Sequence, residues 1–218
     1  MTSPRFDMYA FIHKALRAMM ADTLVAIGRM DVHDAEETAA RLARLRALLA
    51  ACESHLAHED TFIHPAIEAR APGASAVTAD DHAHHRAALA ALAQAARAVE
   101  DAAPPARAAA AHALYLALAQ FIADNYLHMQ VEERDNNAAL HAAYDDTELL
   151  AIHDQLVASI PPQELAATLR WMVPNLSAGE RAGLVGALAL SMPKDAFGGV
   201  LTLVRQNLSG RDWFKLMT

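Results

Sequence analysis

The sequence is poor in several residue types, and each shortage excludes a class of protein. Its single cysteine, Cys52, excludes an intrachain disulfide framework and fits a reducing, cytoplasmic compartment. Aromatic residues make up only 6% of the 218 residues, and much of the apolar content is alanine and leucine. Because Ala and Leu are among the best helix formers and β-branched residues are scarce, we expect an all-α protein.

Basic residues and long apolar runs are also in short supply. The chain has 18 Lys and Arg against 26 Asp and Glu, a formal net charge of −8, and no Lys/Arg-rich tail or stripe. This balance argues against a nucleic-acid partner. The stretch Met1–Asp7 holds no apolar run of signal-peptide type, and no apolar stretch approaches the ~20 residues of a membrane span. We therefore expect no membrane partner.

Histidine is the residue in excess, with twelve in the chain. Two segments each place a His four residues before a Glu: His55 with Glu59, and His128 with Glu132. On a helix, residues four apart lie on one face, so each segment can present an imidazole and a carboxylate together. Two such helices facing each other provide nitrogen and oxygen ligands for a pair of transition-metal ions.

Apolar periodicity and capping signals predict four long helices, over about residues 7–30, 35–70, 78–103 and 105–144. Pro65 is expected to bend or locally end the second of them. Short polar loops between long helices indicate an antiparallel four-helix bundle. Short amphipathic helices follow, over about 145–160, 163–173, 178–190 and 195–208. We therefore expect a bundle domain at 1–143 and a C-terminal helical extension at 144–218.

Helical phase, at about 100° per residue, separates the histidines. Every long helix contributes to an inward-facing set, whereas His58, His64 and His84 are expected to be solvated. For His58 and for Asp60 the alternative is a role in holding a metal ligand without binding the metal. A lone His on an apolar helix is more often a surface or hydrogen-bonded core residue than a ligand. A core holding six unpaired imidazoles and carboxylates would be costly without a metal. The inward-facing set consists of His13, His55, Glu59, His82, His128 and Glu132.

These motifs resemble the hemerythrin-like family (the hemerythrin/HHE cation-binding domain) over about residues 8–143. The resemblance rests on His55-x-x-x-Glu59 followed by Phe62 and Pro65, on Asp81-His82, and on His128-x-x-x-Glu132-Glu133, with His13 where the first-helix ligand falls. It implies a hemerythrin-type bundle around two irons that the two carboxylates bridge and His nitrogens complete.

Two positions depart from the oxygen-carrying members of that family. Their third helix resembles His-x-x-x-His, whereas Arg86 follows His82 at that spacing here, and His85, three residues on, could substitute as a ligand. Arg86 could orient an anionic ligand such as peroxide or lie on the surface. Oxygen carriers also place the fourth-helix carboxylate five residues after the His, which leaves Glu132 and Glu133 both open as the bridge.

The resemblance implies a non-heme di-iron protein that binds oxygen, nitric oxide or a related small oxidant, in sensing, storage or detoxification. One alternative is an enzyme that uses the same centre to decompose peroxide or reduce nitric oxide. Another is a metal-stabilised helical module that binds a protein partner. The C-terminal helices are expected to form an extra layer, a homodimer interface or the site of a protein partner. Tyr9 is interpreted as a packing residue and Cys52 as a small core residue, with a redox role as the alternative for Cys52.

Overall fold

Helices account for all regular secondary structure in the computed structural model, which describes residues 5–218. Within these residues the chain forms nine helices and no strand. The all-α bundle predicted from the sequence is therefore confirmed. Residues 1–4 lie outside the described residues. The predicted domain 1–143 and the stretch Met1–Asp7, which has no signal-type run, both begin there.

Four long helices come first and five short ones follow. Two of the long helices, α2 and α4, are interrupted by a five-residue π-helical turn. The long helices are α1 (Ala10–Gly28), α2 (Ala35–His58, Glu59–Ile63 and His64–Arg70), α3 (Ala76–Asp101) and α4 (Pro104–Val131, Glu132–Asn136 and Asn137–Ala143). The short helices are α5 (Asp146–Ser159), α6 (Pro162–Asn175), α7 (Ala178–Ser191), α8 (Lys194–Asn207) and α9 (Gly210–Met217).

The capping signals locate most of the helix starts. The Asp34 carboxylate accepts a hydrogen bond from the Glu37 amide at the start of α2 (3.0 Å), and Ser177 and Glu180 form a reciprocal capping box before α7. The start of α3 was predicted two residues too late. The Thr78 hydroxyl donates to the Ser75 carbonyl inside the first turn instead of capping the helix.

The last helix, α9, was not predicted, because only eight residues follow Ser209 before the final Thr and such a short stretch shows little periodicity. Ser209 caps it by accepting a hydrogen bond from the Asp212 amide (3.1 Å).

The π-helical turns of α2 and α4 begin at corresponding glutamates. The amide of His64 donates to the Glu59 carbonyl, and the amide of Asn137 donates to the Glu132 carbonyl, five residues back in both cases. The expected break at Pro65 takes the form of this widened turn, after which the helix continues. Since α4 has the same turn without a proline, the shared feature is the glutamate.

The chain divides into two compact units. One contains the chain up to Tyr9 together with Met19–Val157, and the other contains Ala10–Ala18 together with Ala158–Thr218. The second half of α1 thus belongs with α2, α3 and α4, whereas its first half belongs with the C-terminal helices. The predicted boundary between residues 143 and 144 stays a prediction.

Leucines dominate the core of the first unit, as the composition suggested. Helices α3 and α4 pack most extensively, and α2 packs against α3. The closest approach involves Gly28 of α1, where a Cβ would lie 2.9 Å from Cε2 of Tyr115. Any larger residue there would have to displace that ring. Fully buried core residues of the three longest helices include Leu42, Leu45, Leu48, Leu92, Leu114 and Leu118.

A second apolar cluster in the same unit closes the bundle beyond the π-helical turns. It consists of Tyr9, Ile63, Ile67, Leu140 and Leu149, all at most 2% exposed. The cluster adjoins the two glutamates, since Ile63 ends the π-helical turn that begins at Glu59 and Tyr9 lies near both carboxylates.

The second unit has a smaller core of its own. It is formed by Leu169, Val173, Val185, Val204 and Leu208. Beside this core the buried guanidinium of Arg181 donates to the carbonyls of Val173 and Leu176 (both 2.9 Å), which ties the end of α6 to α7. In this unit Leu190 and Phe214 are exposed.

One helical stretch, Pro104–Ala143, is long and apolar enough to cross a membrane when length and composition alone are considered. The core helix of a helical bundle meets the same criterion, and this stretch buries Leu114, Leu118 and Phe121. The evidence for a span is weak, and the absence of a membrane partner stays a prediction.

An ion pair between Lys14 and Glu180 gives the second unit a pH-dependent contribution to stability. Nζ of Lys14 lies 2.5 and 2.7 Å from the two carboxylate oxygens, and these hydrogen bonds hold the pKa of Glu180 at about 2. A depressed carboxylate pKa stabilises the fold above the unfolded value of 4.5, and this contribution is lost as the pH falls towards 2.

We expect Glu180→Gln to lower the free energy of unfolding at pH 7 by about 0.5–1 kcal/mol, because it removes the charge but keeps an acceptor for the Ser177 amide. The difference from wild type should shrink as the pH falls below 4.5. Urea unfolding followed by tryptophan fluorescence measures it, since both tryptophans, Trp171 and Trp213, lie in the second unit. A difference that stays constant down to pH 3 would contradict the ion-pair explanation.

Candidate metal centre

Two glutamates, one on α2 and one on α4, lie at the centre of the site. The side chains of Glu59 and Glu132 are 3% and 0% exposed. Burial, followed by the nearby Glu132 charge, raises the pKa of Glu59 well above its usual range. Two carboxylates buried this close repel each other when ionised. The pair therefore needs either protons or a cation.

Imidazole nitrogens of α3 and α4 converge on the two carboxylates. Nε2 of His82 lies 3.5 Å from Oε2 of Glu59 and 3.7 Å from Oε1 of Glu132, and Nε2 of His128 lies 3.3 Å from that same Glu132 oxygen. One ligand atom from each of these four side chains lies within 4.8 Å of every other. The four side chains can therefore surround one ion.

On α2, His55 approaches the same pair of carboxylates. Its Nε2 lies 3.2 Å from Oε1 of Glu59, and ligand atoms of His55, Glu59 and Glu132 lie within 4.8 Å of one another. The two carboxylates thus lie near His55 as well as near His82 and His128.

The other two predicted ligands, His13 and His85, are both buried. His13 is fully buried on α1, in the half of that helix that belongs to the second unit. His85 is 3% exposed and lies edge-on to His128, with ring centroids 4.7 Å apart. Among the described residues, it joins none of the converging groups of ligand atoms. For both histidines the role of ligand stays a prediction.

Glu132 and Glu133, the two alternatives for the bridging carboxylate on α4, differ in position. Glu132 points its carboxylate at His82 and His128, whereas Glu133 is only half-buried and belongs to neither group. This geometry favours Glu132 as the bridging residue.

Aspartates hold the outer nitrogens of two of these histidines. Nδ1 of His82 lies 2.7 Å from Oδ1 of Asp60, and Nδ1 of His128 lies 3.2 Å from Oδ2 of Asp81. A histidine that donates its Nδ1 proton to a carboxylate leaves the Nε2 lone pair for a metal. In both cases Nε2 is the nitrogen that faces the glutamates.

The prediction that His64 is solvated is wrong. Its side chain is 8% exposed, its ring stacks on His82 at 4.7 Å, and Nδ1 lies 3.2 Å from Oδ1 of Asp60. Burial is the main cause that lowers the pKa of His64. That prediction assumed α-helical phase along the whole of α2. The π-helical turn instead brings His64, five residues after Glu59, to the side that faces His82. His84 is exposed as expected, and His58 is half-buried.

Both readings of Arg86 offered by the sequence stay predictions, and the structure gives the residue two carboxylate partners. Its guanidinium donates from Nη2 to Oδ2 of Asp60 (2.5 Å) and from Nε to Oε1 of Glu53 (3.3 Å). The side chain is 37% exposed. Arg86 is therefore engaged by acidic side chains at the rim of the site.

Tyr9 and Cys52 are both buried close to this region. Burial and the charges of Glu59 and Glu132 raise the pKa of Tyr9, whose hydroxyl accepts a hydrogen bond from Asn136 (3.3 Å). Burial raises the pKa of the Cys52 thiol to about 12. A thiol with this pKa stays protonated, which favours the packing interpretation over a redox role.

The donor set suits first-row transition-metal ions. Carboxylate oxygens with imidazole nitrogens are typical ligands of non-heme iron, and two histidines with a carboxylate commonly leave positions open for a small ligand. A cation between Glu59 and Glu132 would also offset the repulsion that raises the pKa of Glu59. The residues present therefore fit a bound metal.

An all-helical bundle that buries paired carboxylates among imidazoles defines a class of proteins, the cation-binding helical bundles. The family model for the hemerythrin HHE cation-binding domain matches residues 6–140, more than half of the chain. The chain belongs to this family, as the motifs around His55 and His128 predicted. No curated protein and no solved structure matched the chain.

We expect Glu132→Gln to abolish the rise in melting temperature that Fe²⁺ produces in the wild-type protein. A ligand in 100-fold excess over its Kd stabilises a protein by about 3 kcal/mol, and the variant lacks one ligand. Without metal, the variant should melt no lower than wild type, because the repulsion with Glu59 is also removed. Differential scanning fluorimetry under anaerobic conditions measures both quantities.

Glu133→Gln is the matched control, since it removes a neighbouring carboxylate that lies outside the converging groups. This variant should keep the full Fe²⁺-induced rise. A full rise in Glu132→Gln together with its loss in Glu133→Gln would assign the bridge to Glu133.

Proposed function

We propose that the protein is a non-heme di-iron protein that binds oxygen, nitric oxide or a related small oxidant, in sensing, storage or detoxification. The observation that carries this proposal is the convergence of His55, His82 and His128 on the buried pair Glu59 and Glu132. Membership of the hemerythrin HHE family supports cation binding, with iron as the cation we propose.

The protein side chains have distinct tasks in this proposal. Glu59 and Glu132 would supply oxygen ligands for the two irons. His82 and His128 would hold one iron through their Nε2 atoms, and His55 would hold the other. A ligand role for His13 is what the family resemblance implies. Bound iron supplies the electrons and the ligand-binding position for the small oxidant.

Several residues prepare the site before any ligand arrives. Tyr9, Ile63 and Leu140 close the end of the bundle against water, and exclusion of water strengthens the electrostatic interactions within the site. Asp60 and Asp81 fix the orientation of His82 and His128. With His85 outside the converging groups, the iron held by His82 and His128 would be more open, which favours sensing or detoxification over simple oxygen carriage.

A peroxide-decomposing enzyme is the alternative from sequence, and the contacts of Arg86 weaken its support. Arg86 was the one residue considered for orienting a peroxide, and its guanidinium is held by Asp60 and Glu53. We also propose a cytoplasmic location. The C-terminal helices remain the proposed site of a homodimer interface or a protein partner.

We expect the purified protein to contain two irons per chain and to show near-ultraviolet absorption of oxidised iron that disappears on reduction. Exposing the reduced protein to oxygen or nitric oxide should change its spectrum. Elemental analysis and anaerobic spectrophotometry measure these properties, with Glu59→Gln as the variant that should lose them.

Each other outcome has a clear meaning. One zinc per chain, or no metal after reconstitution with Fe²⁺, would contradict the di-iron proposal. Turnover of hydrogen peroxide above that of an equal amount of free iron would select the enzyme. Two irons with no response to oxygen, nitric oxide or peroxide would favour the metal-stabilised interaction module.

A further inference from the structure

The His82 ring has its two nitrogens engaged on opposite sides. Nε2 faces Glu59 and Glu132 at 3.5 and 3.7 Å, while Nδ1 lies 2.7 Å from Oδ1 of Asp60. The ring is 1% exposed. A metal-binding imidazole carries its proton on the nitrogen that faces away from the metal, so the carboxylate at Nδ1 suits a proton on Nδ1 and leaves the Nε2 lone pair for a metal.

Asp60 is itself held by charged groups. Its Oδ2 accepts a hydrogen bond from Nη2 of Arg86 (2.5 Å), while its Oδ1 lies near Nδ1 of both His82 and His64. Both oxygens of the Asp60 carboxylate thus lie against nitrogen atoms of neighbouring side chains, which fixes its orientation.

The contact between Asp60 and His82 also joins two helices. Asp60 follows Glu59 in the π-helical turn of α2, whereas His82 and Arg86 lie one turn apart on α3. One turn of α2 therefore supplies both a proposed bridging carboxylate and the carboxylate that holds a histidine of the neighbouring helix.

The other histidine of this group is held more loosely. Nδ1 of His128 lies 3.2 Å from Asp81, whose side chain is 44% exposed. Within residues 5–218, no lysine or arginine forms an ion pair with Asp81. The arginine-supported contact is thus specific to His82.

We propose that Asp60 and Arg86 are positioning residues that hold His82 with its Nε2 lone pair directed at the metal. The metal in this inference rests on the proposed function. The position of the His82 proton does not depend on it. The third helix of the oxygen-carrying family members resembles His-x-x-x-His, and Arg86 occupies the position of the second His in that pattern. In this chain that position supports a histidine ligand through Asp60 instead of supplying one.

Anaerobic Fe²⁺ titration of the full chain against a chromophoric chelator tests this role. Asp60→Ala should weaken the binding of one of the two irons by about 10- to 100-fold, the usual effect of removing the partner of a histidine ligand. Arg86→Gln should weaken the same iron to a smaller extent. Glu53→Gln removes the other carboxylate partner of Arg86 and should leave both affinities unchanged.

The protonation of His82 provides a readout that needs no metal. In ¹⁵N NMR spectra of the metal-free protein, recorded at a pH at which the His82 ring is neutral and with His82→Gln identifying the signal, His82 should be the Nδ1–H tautomer. Asp60→Ala should give a mixture of tautomers. Asp60→Asn keeps a carbonyl acceptor, so it should preserve the tautomer and lose only part of the iron affinity.

Unchanged iron affinity in both Asp60→Ala and Arg86→Gln would overturn the proposal, as would an Nε2–H tautomer of His82 in the wild-type protein. If the wild-type protein binds no iron, the proposed function fails. The NMR result then still decides whether Asp60 sets the tautomer of His82.

Discussion

The repulsion between two buried carboxylates is the constraint on which the rest of the first unit depends. Glu59 and Glu132 lie on different helices, and both are almost fully enclosed. Carboxylates enclosed in this way are tolerated only with protons or cations beside them, and imidazoles surround the pair. Their burial leaves the charge little contact with solvent, and the apolar cluster around Tyr9 lies beside them.

Helical periodicity was sufficient to find the long helices and the residues that meet in the core. In an α-helix the face of a side chain follows from its position, so His55 with Glu59 and His128 with Glu132 could be paired from sequence alone. Capping signals such as Asp34 with Glu37 located helix starts to within a residue or two. These features depend on neighbours a few residues apart.

The features that could not be predicted depend on contacts between distant segments or on departures from α-helical phase. His64 was assigned to solvent because the π-helical turn at Glu59 carries no sequence signal that periodicity can detect. A supporting role for Asp60 could be suggested from sequence, but not its partner, which lies 22 residues away, nor the partner of Arg86, which lies 26 residues away. The division of α1 between two units likewise depends on tertiary packing.

Helices α2 and α4 use the same local pattern, a histidine, a glutamate four residues later, and a π-helical turn that begins at that glutamate. They differ at the next residue, which is Asp60 in α2 and Glu133 in α4. Asp60 reaches across to a histidine of the neighbouring helix, whereas the backbone carbonyl of Glu133 accepts a hydrogen bond from the side-chain amide of Asn137. Two helices with the same local pattern therefore build a centre without internal symmetry, and the two metal positions proposed for it should be distinguishable to any spectroscopic method that resolves individual ions.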